Sequence, residues 1–330
     1  MRLPDFVPML KSIQLKLSKV KYGRDSLGDD ICIEIEALGK LLRVDKRINA
    51  GTATEINREV GRFETDRGSF QAEVFINVVE KDLLFNDAGS TKGSIKVDAA
   101  ITEPQQFIFK VHVRETRSIL GKFWGTKTAI FEITLEAEVS DAIRYVQDEG
   151  DGWLKVVMED RGVTESMPAY LKVKVERVDA KREYFTILEG PHRGKFASVA
   201  LHADGSSRFI SNIEHEPLAR AMYSISQKTF IIQGKKYKTV DYPESPWKKG
   251  LYDIEIPDYP HQGGARYPEA QRAKIWFRIG HSGERYLHAG GRSLGCMTVI
   301  ETKRWMEIYN SLIKARKGDF MSVGALEVVD

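Results

Sequence analysis

Apolar and polar residues alternate along SIQLKLSKVKY, where Ile13, Leu15, Leu17 and Val20 carry the apolar positions, and along DDICIEIEAL, at Ile31, Ile33 and Ile35. A period of two sends successive side chains to opposite faces, so each stretch predicts a strand with one face on a core and one in water. AEVFINVVE, GSIKVDAAI, QQFIFKVHVRE and TAIFEITLEAEV continue the pattern. YGRDSLGDD, NDAGSTKGS, TEPQ and LGKFWGT separate them with turn residues. Short strands at this spacing without intervening helices predict an antiparallel β-sandwich over residues 1–148.

The polar run SDAIRYVQDEGDG marks a boundary near residue 150. WLKVVMEDRG, AYLKVKVERVDA and REYFTILEGPHRGKFASVALHADG then predict a strand-rich stretch over 149–212, either a small module or the N-terminal part of the last domain. In 213–330, EHEPLARAMYS predicts a short helix begun after Pro217, and TFIIQGKKYKTVDY a hairpin around Gly234. GLYDIEIPDYPHQGG reads as a strand running into a proline- and glycine-rich loop, and AKIWFRIG as a further strand. Only ETKRWMEIYNSLIKAR has the helical period, with Trp305, Ile308, Tyr309, Leu312 and Ile313 on one stripe and Gly318 as the stop. FMSVGALEVV closes as a strand. The fold class expected is mainly β: an N-terminal antiparallel sandwich, then a β-rich domain with one C-terminal helix.

Composition narrows the chemistry. With 330 residues, 42% hydrophobic and 29% charged, the chain can build real cores. Its net charge of +3 comes from scattered lysines and arginines, unlike the concentrated basic face of a nucleic-acid binder. No apolar run is long enough to span a membrane as a helix. The first thirty or so residues lack the pattern of a secretory signal, which predicts a protein made in the cytoplasm and carried elsewhere by another route. Phosphate-binding glycine motifs are absent, and no cofactor is expected. Asp25, Asp29, Asp30 and Asp87 fall in turns and read as solvated turn residues rather than a calcium site, and no metal is expected.

There are two cysteines, far apart in sequence, which argues against a disulfide framework. Cys32 lies mid-strand and reads as structural. Cys296 lies in RYLHAGGRSLGCMTV, eight residues after His288. A cysteine nucleophile needs a base or an electropositive setting to form its thiolate, and amide donors for the oxygen that becomes charged. His288 is the candidate base. Gly290 and Gly291 allow a sharp reversal. Ser293-Leu294-Gly295-Cys296 predicts a tight turn, with the Gly295 and Cys296 amides as an oxyanion hole. Tyr286 and Trp276 are candidates to line a groove. His261, in DYPHQGG, reads as a surface histidine on a loop.

His288, Gly290, Gly291, Ser293, Gly295, Cys296 and Met297, a histidine and glycine turn followed by S-x-G-C and an apolar residue, resemble the active-site signature of the L,D-transpeptidase (YkuD-like) catalytic domain. SPWKKGLYDIEIP upstream and the helix and strand through GALEVV downstream fit the order of elements in that family. The resemblance covers roughly residues 225–330, and none of the first 150. It implies cysteine acyl transfer on peptidoglycan stem peptides or precursors: Cys296 attacks the carbonyl of the third stem residue and expels the terminal D-alanine. An amine or water then resolves the thioester, while His288 carries protons.

Two positions depart from the usual pattern. Thr298 stands where the family has an arginine, and the histidine-to-cysteine gap is short. Both resemble a divergent branch of secreted antibacterial effectors, which implies a secretion apparatus and an immunity protein as partners and action in the periplasm or cell wall. Arg285 and Arg292 are the candidates to replace the missing charge, and His281 is a rival base to His288. Two other readings stay open: a β-rich binding protein that has lost turnover, and a cysteine peptidase or amidase acting on another peptide.

Overall fold

The computed structural model describes residues 9–81, 86–115, 127–280 and 283–330. They form two compact units, Met1–Ala142 and Ile143–Asp330. The chain is mainly β.

The strands of the first unit are β1 (Lys11–Arg24), β2 (Asp30–Ala37), β3 (Lys40–Arg47), β4 (Ala53–Thr65), β5 (Ser69–Glu80), β6 (Asp87–Asp98), β7 (Gln105–Arg114) and β8 (Thr128–Val146), whose end belongs to the second unit. They make two antiparallel sheets, ordered β4-β1-β8-β7 and β3-β2-β5-β6. The inward residues of both sheets, among them Ile13, Leu15, Leu17, Ile33, Ile35, Val74, Ile76, Phe131, Ile133 and Leu135, form one core from which water is excluded. This is the sandwich that alternation predicts.

One irregularity interrupts the alternation of β1. The apolar positions of β1 are odd up to Leu17 and even from Val20. The pairing of β1 with both neighbours slips between Leu17 and Lys19, so a bulge returns Val20 and Tyr22 to the core. Cys32 faces away from Ile31 and Ile33 as alternation requires. It is nonetheless 2% exposed, because Asp45 and its cationic neighbours Arg43 and Lys81 cover it. Burial and the Asp45 carboxylate push its thiol up, which keeps it protonated and inert. The turn aspartates are satisfied locally: Asp25 accepts from the Thr128 amide and Asp30 pairs with Arg47.

In the second unit, β9 (Trp153–Met158), β10 (Val163–Pro168), β11 (Lys172–Val178), β12 (Arg182–Ile187) and β13 (Phe196–Ala200) lie in the order β10-β9-β13-β12-β11, all antiparallel. β14 (Phe209–Ile210) pairs with the last residues of β8. The rest of the unit is built on an eight-stranded sheet. Its members, after the short β15 (Glu216–Pro217), are β16 (Ala219–Ser224), β17 (Thr229–Ile232), β18 (Lys235–Val240), β19 (Gly250–Glu255), β20 (Phe277–Arg278), β21 (Tyr286–Ala289), β22 (Met297–Val299) and β24 (Ser322–Val329), in the order β19-β24-β16-β17-β18-β22-β21-β20. Helix α1 (Trp305–Ile313) and β23 (Ala315–Arg316), which pairs with β15, lie between β22 and β24.

The helix expected after Pro217 is a strand. Ala219–Ser224 pairs with β24 in parallel and β17 antiparallel, and two ladders of backbone hydrogen bonds outweigh the helix preference of Ala-Arg-Ala-Met. The hairpin around Gly234 is present, with Gln233 and Gly234 both at positive φ, the twist a two-residue β-turn needs. The stripe of α1 is fully buried, from Trp305 to Ile313. The helix ends at Ile313 rather than near Gly318, because the next residues leave it to pair with β15. Gly318 serves the following turn, at φ +90°.

Candidate active site

β21 and β22 run parallel, with Leu287 opposite Met297 and His288 opposite Thr298. Cys296 comes one residue before β22, in the bend that follows Gly295. The chain between the strands is a compact loop. The Gly290 amide donates to the Val299 carbonyl, and the Gly291 amide donates to the Tyr267 hydroxyl at 2.7 Å. Ser293 Oγ donates to the Cys296 carbonyl at 2.6 Å and accepts the Gly295 amide at 3.2 Å. This is the tight turn expected over Ser293–Cys296, and Gly295 holds it at φ +113°. Leu294 projects from its apex, 89% exposed. The Gly295 amide is thus engaged by Ser293 and must be released to serve an oxyanion; the Cys296 amide is the other donor of the expected pair.

The Cys296 thiol is half-buried and its nearest acceptor is the Glu284 carbonyl, 3.9 Å from Sγ. Burial pushes this thiol above its ordinary range, more than the Tyr286 amide and the Arg285 guanidinium lower it. The resting sulfur is therefore a neutral thiol. The environment that shields the sulfur from water also removes what would stabilise its charge.

His288 is 5% exposed. Its Nδ1 lies 3.0 Å from the Ala289 carbonyl, and its Nε2 lies 3.1 Å from Thr298 Oγ1, which itself reaches the Arg292 carbonyl at 3.2 Å. Burial holds the ring neutral, with its titration lowered to about 4 despite the Ala289 carbonyl. One face of the imidazole stacks on Trp276, centroids 3.9 Å apart and planes 13° from parallel.

Behind Trp276 stands a group the sequence did not reveal. His261 stacks on the indole at 4.3 Å, and Tyr259 stacks on His261 at 4.2 Å. Asp258 accepts from the Tyr286 hydroxyl at 3.0 Å, from the Tyr259 amide at 2.9 Å and lies 3.2 Å from His261 Nε2. Burial raises the Asp258 carboxyl, but bonds from His261, Tyr259 and Tyr286 more than offset it, and the group stays below its usual range. His261 is thus a buried member of the site and not a surface residue, which corrects the expectation. The loop that carries it is pinned by the His261 amide on the Lys274 carbonyl, and Gly264 is required there because a Cβ would meet the Ala273 carbonyl. The Asp-x-x-His spacing in DYPHQGG was the available signal.

The other expected residues divide. Tyr286 is buried and faces Asp258, so it braces the site rather than lining an open groove. Arg285 is spent on the Ser245 hydroxyl and the Ser245 and Pro246 carbonyls, with its guanidinium over Trp247. Arg292 is exposed, and its side chain makes no ion pair among the described residues. His281 lies outside the described residues. A cavity of about 450 Å³ lies beside Tyr267, walled by Asp151, Ala265, Gln271 and Lys274, but neither Cys296 nor His288 lines it. Among the described residues no cluster of three metal-ligating side chains occurs.

No family model matches the chain, and no curated protein matches it. Among solved structures, it is similar to a C2 domain of plant Extended Synaptotagmin 1, at 15% identity over 42% of this chain and 97% of that one, with a TM-score of 0.24. It is also similar to human GIVD cytosolic phospholipase A2 in complex with methyl gamma-linolenyl fluorophosphonate and terbium chloride, at 11% identity over 64% of this chain and 34% of that one, with a TM-score of 0.23. Likeness at that level speaks to neither fold nor chemistry.

Proposed function

We propose that the second unit is a cysteine acyltransferase of the L,D-transpeptidase type, acting on peptidoglycan stem peptides. The observation that supports this reading is the parallel pairing of β21 with β22, which sets the buried His288 opposite Thr298, two residues after Cys296. The sulfur of the motif is partly exposed and follows a glycine-rich turn.

The reaction begins when Cys296 turns from the Glu284 carbonyl, the Thr298 hydroxyl leaves His288 Nε2, and the thiol proton passes to that nitrogen. The sulfur electron pair forms a bond to the carbonyl carbon of the third stem residue. The C–N bond to the terminal D-alanine breaks, and its nitrogen takes the proton from the imidazolium. An acceptor amine, or water, then attacks the thioester and gives up a proton to His288; the C–S bond breaks, and the imidazolium returns that proton to the departing sulfur. A neutral thiol and a neutral imidazole at rest mean that the ion pair forms only during reaction, when each charge stabilises the other. Arg292 supplies the exposed cation for the stem carboxylate, and the Cys296 amide supports the oxyanion.

Such a substrate lies outside the cytoplasmic membrane, so the protein works in the periplasm or wall. A role in delivery, targeting or carbohydrate contact falls to the N-terminal sandwich, and a secretion apparatus and an immunity protein are its partners. The test is to digest peptidoglycan exposed to the wild type and to Cys296→Ala, and to compare muropeptides by mass. The wild type alone should give stems lacking the terminal D-alanine, or new cross-links; identical profiles overturn the proposal.

A second reading has its own support. The thiol faces Glu284 and Thr298 occupies His288 Nε2, an arrangement that suits a binding protein without turnover. Binding of intact stems without conversion would favour it. Release of a different amine from another peptide would instead favour a peptidase or amidase.

A further inference from the structure

The hydrogen bonds of His288 can be counted in protons. Three contacts form a chain: Nδ1 to the Ala289 carbonyl, Nε2 to Thr298 Oγ1, and Thr298 Oγ1 to the Arg292 carbonyl. Both carbonyls only accept, and the hydroxyl has one hydrogen. A ring protonated on Nδ1 alone must take the Thr298 hydrogen at Nε2, which empties the contact to Arg292. A ring protonated on Nε2 alone sets a lone pair against the Ala289 carbonyl. Only the ring that carries both protons makes all three contacts hydrogen bonds, and the two it donates are then charge-assisted and about twice as strong as neutral ones.

The stacking points the same way. The indole covers one face of the ring at 3.9 Å, nearly parallel, the placement in which an aromatic quadrupole attracts a cation. We propose that Thr298 and Trp276 are positioning residues that shape the His288 pocket for the doubly protonated ring, the form it takes when it removes the proton of Cys296. The role assigned to the ring rests on the acyltransferase reading; the shape of the pocket does not. Thr298 is fully buried, so its hydroxyl has no water to serve, and it stands where the transpeptidase pattern has an arginine. The titratable groups on the elements packed against the ring are Tyr286 on its own strand, Tyr267 across Gly290, and His261 with Asp258 behind Trp276, with Arg285, Arg292 and Cys296 next along the chain. Burial most strongly opposes a second proton on His288, the Ala289 carbonyl favours it, and His261 opposes it, so the ring rests neutral and takes that proton only in reaction.

The experiment is to follow the His288 ring by nitrogen NMR across pH in the full chain, for wild type, Thr298→Val, Thr298→Ser, Trp276→Leu and Trp276→Phe, alongside kcat and KM on stem peptides. Thr298→Val should lower the His288 titration midpoint by about one pH unit, and Trp276→Leu by about half a unit to one. Thr298→Ser and Trp276→Phe should stay near wild type, since each restores the hydroxyl or an aromatic face. kcat should fall in the same order with KM unchanged. Equal midpoints in wild type, Thr298→Val and Trp276→Leu overturn the inference, even if the wild type turns over stem peptides. Shifted midpoints in a chain that converts no stem peptide uphold the pocket and overturn the acyltransferase reading instead.

Discussion

The Tyr286 hydroxyl donates to Asp258 at 3.0 Å and ties the strand of His288 to the loop of His261. Both residues are largely buried, and the carboxylate holds the hydroxyl proton firmly, since burial and the Asp258 charge push Tyr286 far above the ordinary phenol range. Removing the hydroxyl in Tyr286→Phe deprives a buried carboxylate of one donor. The expected cost is about 1–3 kcal/mol of stability, read from the denaturation midpoint. An unchanged midpoint would show that this bond braces nothing.

His288 should make stability depend on pH. Its folded titration, at about 4, lies below the unfolded value near 6.5, so the unfolded chain binds more protons between the two. The contribution is fully present above about pH 6.5 and is lost as pH falls through about 4. Asp258, also depressed, acts in the same direction below the ordinary carboxylate range. Urea titrations of the wild type should therefore lose a few kcal/mol between pH 7 and pH 4, and His288→Phe should flatten that slope. Equal slopes would place the ring in water.

The thiol of Cys296 should alkylate slowly at neutral pH. Its rate should inflect above the usual thiol range of about 8.5, and higher again in Arg285→Gln, which removes the guanidinium that holds it down. Cys32 serves as the internal control, as it should stay unlabelled until the sandwich unfolds. Mass mapping after iodoacetamide separates the two sites. Fast labelling of Cys296 at pH 6 would show that the resting site holds a thiolate after all.

Two glycines should fail for different reasons. An added Cβ at Gly295 meets nothing, so Gly295→Ala costs only the backbone strain of φ +113°, about 1–3 kcal/mol. At Gly290 the same atom falls 3.2 Å from Thr298 Cγ2, 3.3 Å from Tyr267 Cε2 and 3.4 Å from His288 Nδ1. Gly290→Ala should shift the His288 ring resonances, whereas Gly295→Ala should leave them in place. The reverse pattern would contradict the packing of this loop.

Arg292 and Arg285 should separate in kinetics. Arg292→Gln should raise KM for stems ending in a free carboxylate by about tenfold or more, with kcat little changed, as expected when a charge-assisted bond made equally in ground and transition states is lost. Arg285→Gln should leave KM nearly alone, because its donors serve Ser245 and Pro246. Equal effects on KM would assign the carboxylate to neither.

The sequence by itself determined the β character, the sandwich core and the buried stripe of α1, because these are periodic facts. Ile13 to Leu17, Ile31 to Ile35 and Trp305 to Ile313 each repeat at the spacing of one secondary structure, and burial follows the repeat. It also supplied His288, Ser293, Gly295 and Cys296, which sit close in one stretch of chain. Only the tertiary structure decided that Ala219–Ser224 is a strand, since its parallel partner β24 comes from the far end of the chain. Only packing brought Asp258, His261 and Trp276 against Tyr286 and His288, and set the thiol toward Glu284. Those contacts join residues up to about thirty positions apart, and no local pattern records which ring will lie on which. The charge states of Cys296 and His288 were hidden for the same reason: a side chain's identity fixes its ordinary pKa, but burial by distant neighbours moves it.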